Sequence, residues 1–283
     1  MRKKLSVLIL LIAVVALFSA GCNWKFWKSQ DDTADITNNA VVNTTTPAGT
    51  ATATPAPARD FSDYPIKVGN KWVYDVSSTF KNPYGEGEAG EYNLTAEIMD
   101  VSTNGLEWTD KVTDTLATGK AEAKMGYGLD AAKKNLYLNL SETTMDLEPY
   151  GIVGSGTITK EFKGLKIVSL DQNQWDISGN AKVTVRGGGV PAQSFDFNVS
   201  GEGKILDKKA SFNTQAGEFT NLLRVQVQYT LSGGEVETTQ VEVYWIDLGV
   251  GIIKYNLDQT QVKPISPLPA GGKSTMVLKE YEI

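Results

Sequence analysis

Histidine is missing from the chain, and cysteine occurs once, at Cys22. Without histidine there is no Ser-His-Asp or Cys-His pair to activate a nucleophile. Histidine-bearing zinc sites fall with it, and a single thiol cannot assemble a thiolate site. An internal disulfide needs two cysteines and is excluded. Helical periodicity is the next scarcity. No long window repeats its apolar residues every 3.6 positions, and Ala131-Ala132-Lys133-Lys134 offers one helical turn at most. Net positive charge is also lacking. Lys and Arg number 27 against 33 Asp and Glu, for a formal net charge of -6. That balance argues against a nucleic-acid partner, which needs a basic face.

What remains for chemistry is carboxylates and hydroxyls. A glycosidase needs only two Asp or Glu at a set separation. Among 33 acidic residues some pair meets that separation by chance, so the signal selects nothing. Asp171-Gln172-Asn173-Gln174-Trp175-Asp176 opens like a calcium loop, with Asp and Asn two apart. It then places Trp175 at the third ligand position and lacks the loop glycine and distal Glu. An Asx-turn between strands is the simpler reading. Gly249-x-Gly251 runs into Ile252-Ile253-Lys254-Tyr255, a strand and not the helix that a phosphate cradle needs. No catalytic, metal-binding or cofactor-binding residue is assigned, no cofactor is implied, and the chain is read as a non-enzyme.

The N-terminus carries the clearest message. Met1-Arg2-Lys3-Lys4 is a compact basic cluster, Leu5 to Phe18 is apolar except for Ser6, and Ser19-Ala20-Gly21 are small. Basic, apolar, then small is the order of a secretory signal peptide. The run is short of the about 20 residues that a spanning helix wants. The stretch Phe18-Ser19-Ala20-Gly21-Cys22 resembles the lipobox of bacterial lipoproteins, with Ser19 where leucine is commoner. The resemblance implies a diacylglycerol on the Cys22 thiol and cleavage before it. Lipidation would also account for an odd cysteine in an exported chain. Asn23-Trp24-Lys25-Phe26-Trp27-Lys28 interleaves aromatics, suited to the headgroup zone, with lysines drawn to anionic lipid.

Three segments are therefore expected: a signal peptide over 1–21, a lipidated N-terminus and tether over 22–60, and one extracytoplasmic domain over 61–283. Gln30 to Asp60 is rich in Thr, Ala, Asn and Pro and contains no Leu, Phe, Trp or Tyr. Such a segment cannot bury enough apolar surface to offset its ordering entropy. The implied location is the bacterial cell membrane, through lipid on Cys22, and the outer membrane if the host is Gram-negative.

The domain reads as strands. Leu223, Val225, Val227, Tyr229 and Leu231 alternate with Arg224, Gln226, Gln228 and Thr230. Side chains alternate across a strand, so this is a sheet with one buried and one wet face. Ser232-Gly233-Gly234 supplies a turn, after which Val241, Val243 and Trp245 resume the alternation. Further strands are expected between breakers such as Asn82-Pro83-Tyr84-Gly85, Thr103-Asn104-Gly105 and Gly187-Gly188-Gly189. Among them are 156–163 and 166–170, and 194–200, 203–208 and 211–213. The predicted fold is all-β with little or no helix: an antiparallel sandwich or a curved, cup-like open barrel.

Asp63-Tyr64-Pro65-Ile66-Lys67-Val68-Gly69-Asn70-Lys71-Trp72-Val73-Tyr74 resembles the opening of many uncharacterised bacterial envelope lipoproteins. Ala216-Gly217-Glu218-Phe219 and Gly249-Val250-Gly251-Ile252-Ile253-Lys254 resemble later signposts of that group. The resemblance implies no activity. Physically, Gly69 would turn the chain into a strand. Trp72 and Tyr74 would share a face, which most often fills a core and less often forms an exposed platform for sugar or peptide. Tyr244 and Trp245 must face opposite ways. Two functional readings follow. One is a non-catalytic envelope module that binds a protein or glycan. The other is a carrier whose curved sheet encloses an apolar ligand or lipid.

Overall fold

The computed structural model describes residues 59–82, 85–114, 122–146, 155–187, 190–234, 236–261 and 271–283. The expected signal peptide, Cys22 and most of the tether lie outside the described residues. Twelve strands follow one another: β1 Lys71–Asn82, β2 Gly85–Val101, β3 Glu107–Asp114, β4 Glu122–Leu129, β5 Asn135–Asp146 and β6 Ser155–Ser169. The second half adds β7 Gln174–Gly187, β8 Val190–Thr214, β9 Gly217–Gly233, β10 Val236–Asp247, β11 Gly251–Gln261 and β12 Gly271–Glu282. Each pairs antiparallel with its neighbour in sequence, and β12 returns to pair with β1, so the sheet closes into a barrel. Of the two predicted architectures, the barrel is the one adopted, and it is closed. Closure leaves no unpaired sheet edge.

Strands expected as separate pieces are continuous. Residues 156–163 and 166–169 belong to β6, with Leu170 just past its end and a register irregularity against β5 around Leu138 to Leu140. Residues 194–213 lie within the 25-residue β8, whose register against β9 shifts between Ile205 and Phe212. Bulges of this kind bend a strand without ending it. Ala131 to Lys134 is a turn between β4 and β5, with Lys133 at φ 53. The predicted hairpin is present, with Trp245 opposite Arg224 and Ile246 opposite Leu223.

One end of the barrel is closed. The chain enters there through Asp60, whose side chain accepts from the Ser62 amide (2.8 Å) and caps a 3-10 turn over Phe61–Asp63. The Phe61 amide donates to the Lys133 carbonyl (2.9 Å), and the Phe61 ring is buried. Gly69, at φ 91, turns the segment into β1, and its amide donates to the Ile98 carbonyl (2.9 Å). Trp72, Ile98, Trp108, Leu136, Val168 and Leu278 pack beneath this segment, all buried. The Trp72 indole donates to the Val250 carbonyl (2.6 Å), and the Tyr74 hydroxyl donates to the Ile252 carbonyl (3.2 Å), tying β1 to the start of β11. Trp72 and Tyr74 are therefore core residues.

The outward rows of β7 and β8 are wet. On β7 they carry Asp176, Ser178, Asn180 and Lys182; on β8 they carry Asp196, Asn198, Ser200 and Glu202. A membrane-spanning barrel needs an apolar outer band, and these rows have none.

Close packing sets a test of the fold. Trp175 lies opposite Gly203, buries its indole there and donates from Nε1 to the Lys166 carbonyl (3.1 Å). A Cβ on Gly203 would come within 2.1 Å of the ring. Gly203→Val should lower the urea midpoint by the equivalent of about 2–3 kcal/mol, as overpacking does. Gly249→Ala meets only Asp247 Oδ1, at 3.5 Å, and should stay within about 0.5 kcal/mol of wild type. Equal midpoints for the two variants would contradict this packing.

Candidate functional site

The alternation of β10 is as regular as the sequence suggests, but the faces are reversed. Thr238, Gln240, Glu242, Tyr244 and Ile246 are buried, while Val241, Val243 and Trp245 point outward and stay half-buried. The reason is register. Gln240 lies opposite Tyr229, Glu242 opposite Val227 and Tyr244 opposite Val225, and these β9 residues face the barrel interior. A one-residue slip would place Val241 and Val243 inside at the cost of turning every other side chain outward. The interior thus contains polar groups that an apolar core would reject.

Those groups sit in one half of the barrel, away from the closed end. Inward-facing side chains near the closed end have almost no accessible surface. Tyr127, opposite Trp108, and farther along the inward positions Leu94, Val112, Met125, Tyr255 and Met276 retain some. These positions are inward by register: Met276 lies opposite both Val76 and Tyr255, and Tyr255 opposite Tyr244. Burial nevertheless pushes the Tyr127 and Tyr255 phenols well above their ordinary range. These partly accessible inward positions are the candidate lining of an internal lumen.

A hydrogen-bonded cluster forms part of its wall. The Tyr244 hydroxyl bonds Glu242 Oε2, and the Tyr229 hydroxyl is in reach of both Glu242 Oε1 (2.8 Å) and Gln240 Oε1. Gln240 Nε2 donates to Gln259 Oε1 (2.9 Å). Tyr229 has one proton for two acceptors. The set closes when Glu242 is protonated and donates to Tyr229, which then donates to Gln240. Burial raises the Glu242 carboxyl in that direction, against the hydrogen bonds from Tyr244 and Tyr229 and the charge of Lys160. At the end of the chain Gln259 Nε2 is buried with no partner, as is Thr238 Oγ1. Buried polar atoms are ordinarily paired, and these two are exceptions among the described residues.

Two more ionisable groups point inward. Lys160 of β6 is buried between Ile158 and Phe162 on the same face. Desolvation pushes its ammonium down to about 8, offset in part by Glu242, and it makes no hydrogen bond among the described residues. Asp110 of β3 lies opposite Ile98 and Met125. Its Oδ1 is buried without a partner, and desolvation pushes the carboxyl up to about 7. Aromatic rings run beside it. Trp108 stacks on Tyr127 with centroids 5.3 Å apart, and Tyr64 meets Trp108 at 5.9 Å.

Trp245 supplies the outward aromatic that the sequence anticipated, but it is not a free platform. Arg224 and Lys254 lie over its ring, 5.0 and 4.9 Å from the centroid, and Phe212 from the β8–β9 hairpin closes in at 6.4 Å. Asp171 accepts from the Ser169 hydroxyl (2.6 Å) in the β6–β7 turn, and Trp175 is turned into the core. Gly249 sits in a turn and Gly251 opens β11. Cys22, the one site residue assigned from sequence, lies outside the described residues. The sequence reading missed Asp110, Lys160 and Glu242. The signal was parity: Trp108-x-Asp110-x-Val112 and Ile158-x-Lys160-x-Phe162 put a charge on an apolar face.

The carboxyls make stability depend on pH. A folded carboxyl raised above its unfolded value holds a proton that the unfolded chain has released, so stability falls as pH climbs between the two values. Asp110 should cost on the order of a few kcal/mol as pH rises from about 4 through about 7, with Glu242 adding in the same sense. Lys160 acts oppositely, its penalty easing above about 8. Urea unfolding across this range should show the decline, and Asp110→Asn should flatten part of it. A slope identical in variant and wild type would refute the assignment.

No protein-family model matches the chain, and no curated protein matches it. One solved structure is similar, a crystal structure of a "putative lipoprotein" from Parabacteroides distasonis ATCC 8503, with a TM-score of 0.34 and 11% identity over 80% of this chain and 100% of that one. A likeness at that level assigns neither family nor role.

Proposed function

We propose that this chain is a non-catalytic binding barrel whose lumen takes a small amphipathic ligand, and that lipid on Cys22 holds it at a bacterial membrane. The observation that supports binding is the accessible surface on inward-facing positions of one half of the barrel. A barrel of about eight strands is filled by its own side chains, whereas a wider one leaves room. The lining mixes Leu94, Val112 and Met276 with tyrosines and with unpaired polar atoms at Gln259 and Thr238. Apolar walls with a few convergent polar groups are what small-molecule sites are made of. A purely aliphatic ligand would leave those polar atoms unsatisfied, so a ligand with a polar end fits better. Lumen binding is favoured over docking of a glycan or protein on an exposed aromatic, because Trp245 is already covered by its neighbours.

The binding claim is tested with the neutral dye Nile red. The chain should bind it, and Leu94→Trp, which fills the lumen, should weaken binding at least about tenfold while the protein stays folded. Undiminished binding by a folded variant would count against the lumen. The anchor has its own test. Cys22→Ala should abolish incorporation of labelled palmitate in a bacterial host and leave the precursor unprocessed, and unchanged labelling would refute lipidation.

A further inference from the structure

We infer that Asp110 and the aromatic rings beside it form the polar pole of the lumen and take the ammonium group of an organic cation. This rests on the lumen reading above and names the ligand's chemistry.

The geometry is one-sided. Asp110 projects inward from β3, between Trp108 and Val112 on the same face. Across β4 its partner is Met125, and the next position on that face is Tyr127, stacked on Trp108. Tyr64 approaches from the segment that closes the barrel end. Asp110 Oδ1 is enclosed with no hydrogen-bond donor, and no salt bridge reaches the carboxyl among the described residues. Lys160 faces Glu242 and does not act on Asp110.

A carboxyl in that position has two ways to settle. It can stay protonated, or it can ionise against a positive partner. A ligand anion would be repelled by the ionised form, and an uncharged hydrogen-bond donor would compensate it only in part. A cation gains most from the carboxylate at short range, and the Tyr64 and Tyr127 rings, close enough for their phenols to feel the Asp110 charge, make the surroundings favourable to it. The aliphatic and thioether side chains at Leu94, Met125 and Met276 then accept the apolar body of the same molecule. The ammonium group could belong to a lipid headgroup or to a free amine, and chain length separates the two.

The groups facing Asp110 bear on how binding should vary with pH. Tyr64, Tyr74 and Tyr127 approach from the N-terminal segment, β1 and β4, and the Asp110 charge raises all three phenols. The phenols stay neutral through the physiological range; Asp110 changes charge there, and from β10 Glu242, which also acts on Tyr127, is raised in the same sense. Cation binding should therefore strengthen as pH rises and Asp110 ionises.

The test uses three probes below their micelle-forming concentrations, by calorimetry on the full chain: decyltrimethylammonium, decanoate and choline. At about pH 8 the decyl cation should bind at least about tenfold more tightly than decanoate, and it should weaken several-fold by about pH 5.5. Asp110→Asn is nearly isosteric and removes an unpaired buried carboxyl, so it should fold. It should cost the cation at least about tenfold and flatten its pH dependence between about 5.5 and 8. Choline binding comparable to the decyl cation indicates a free amine, and a requirement for the chain indicates a lipid-like one. Nile red binding without preference for the cation, or an Asn variant that keeps it, overturns this inference alone. Failure of Nile red and every probe to bind overturns the lumen reading itself.

Discussion

A round barrel of twelve strands is wider than the eight-stranded one that side chains just fill, and the rest of this structure follows from that constraint. Eight strands give an interior just wide enough for side chains to meet. Twelve must add a plug, flatten, or leave space. The chain spends its largest side chains on one end, where Phe61, Trp72, Trp108 and Trp175 pack with aliphatics beneath the entering segment. Asp110 follows Trp108 on the same face at the border of that end, and farther along the inward positions include Lys160, Gln240, Glu242 and Gln259. Glu242 and Gln240 find partners among Tyr229, Tyr244 and Gln259, while other polar atoms find none.

Division along the barrel axis separates stability from function. The closed end carries apolar burial, on the order of 25 cal/mol per Å² removed from water, together with the hydrogen bonds that tie β1 to β11. Polar interiors contribute little of that kind. A buried carboxyl such as Asp110 works against folding near neutral pH, and so does the desolvated ammonium of Lys160. Such groups cluster at sites that bind or react more often than in plain cores. The surface ion pairs, for example Lys111 with Glu122 at 2.9 Å, are exposed and add at most about 1 kcal/mol each.

Much of the fold was legible in the sequence because antiparallel strands announce themselves by period-2 alternation and by turns. Gly69 at its positive φ, the shared face of Trp72 and Tyr74, and the opposed faces of Tyr244 and Trp245 all follow from local rules. Closure did not follow, because nothing in β1 or β12 states that they pair with each other across the length of the chain. Nor did the continuity of β6 and β8, since a bulge and a loop break alternation in the same way. The site was hidden by a reasonable assumption, that apolar residues mark the inside. In β10 they mark the outside, and only register against β9 reveals that Glu242 faces inward. Charged residues at core parity, as at Asp110 and Lys160, are the local trace of a polar lumen.

The central claim is that one half of this barrel encloses space lined by Tyr127, Tyr255, Asp110 and Lys160. An experimental electron-density map of the barrel interior addresses it most directly. The account predicts ordered solvent or a bound molecule in contact with the Tyr127 and Tyr255 rings and within hydrogen-bond reach of Lys160 Nζ or Asp110. Tyrosine and aliphatic side chains packed against one another across that half, with no density between them, would contradict it.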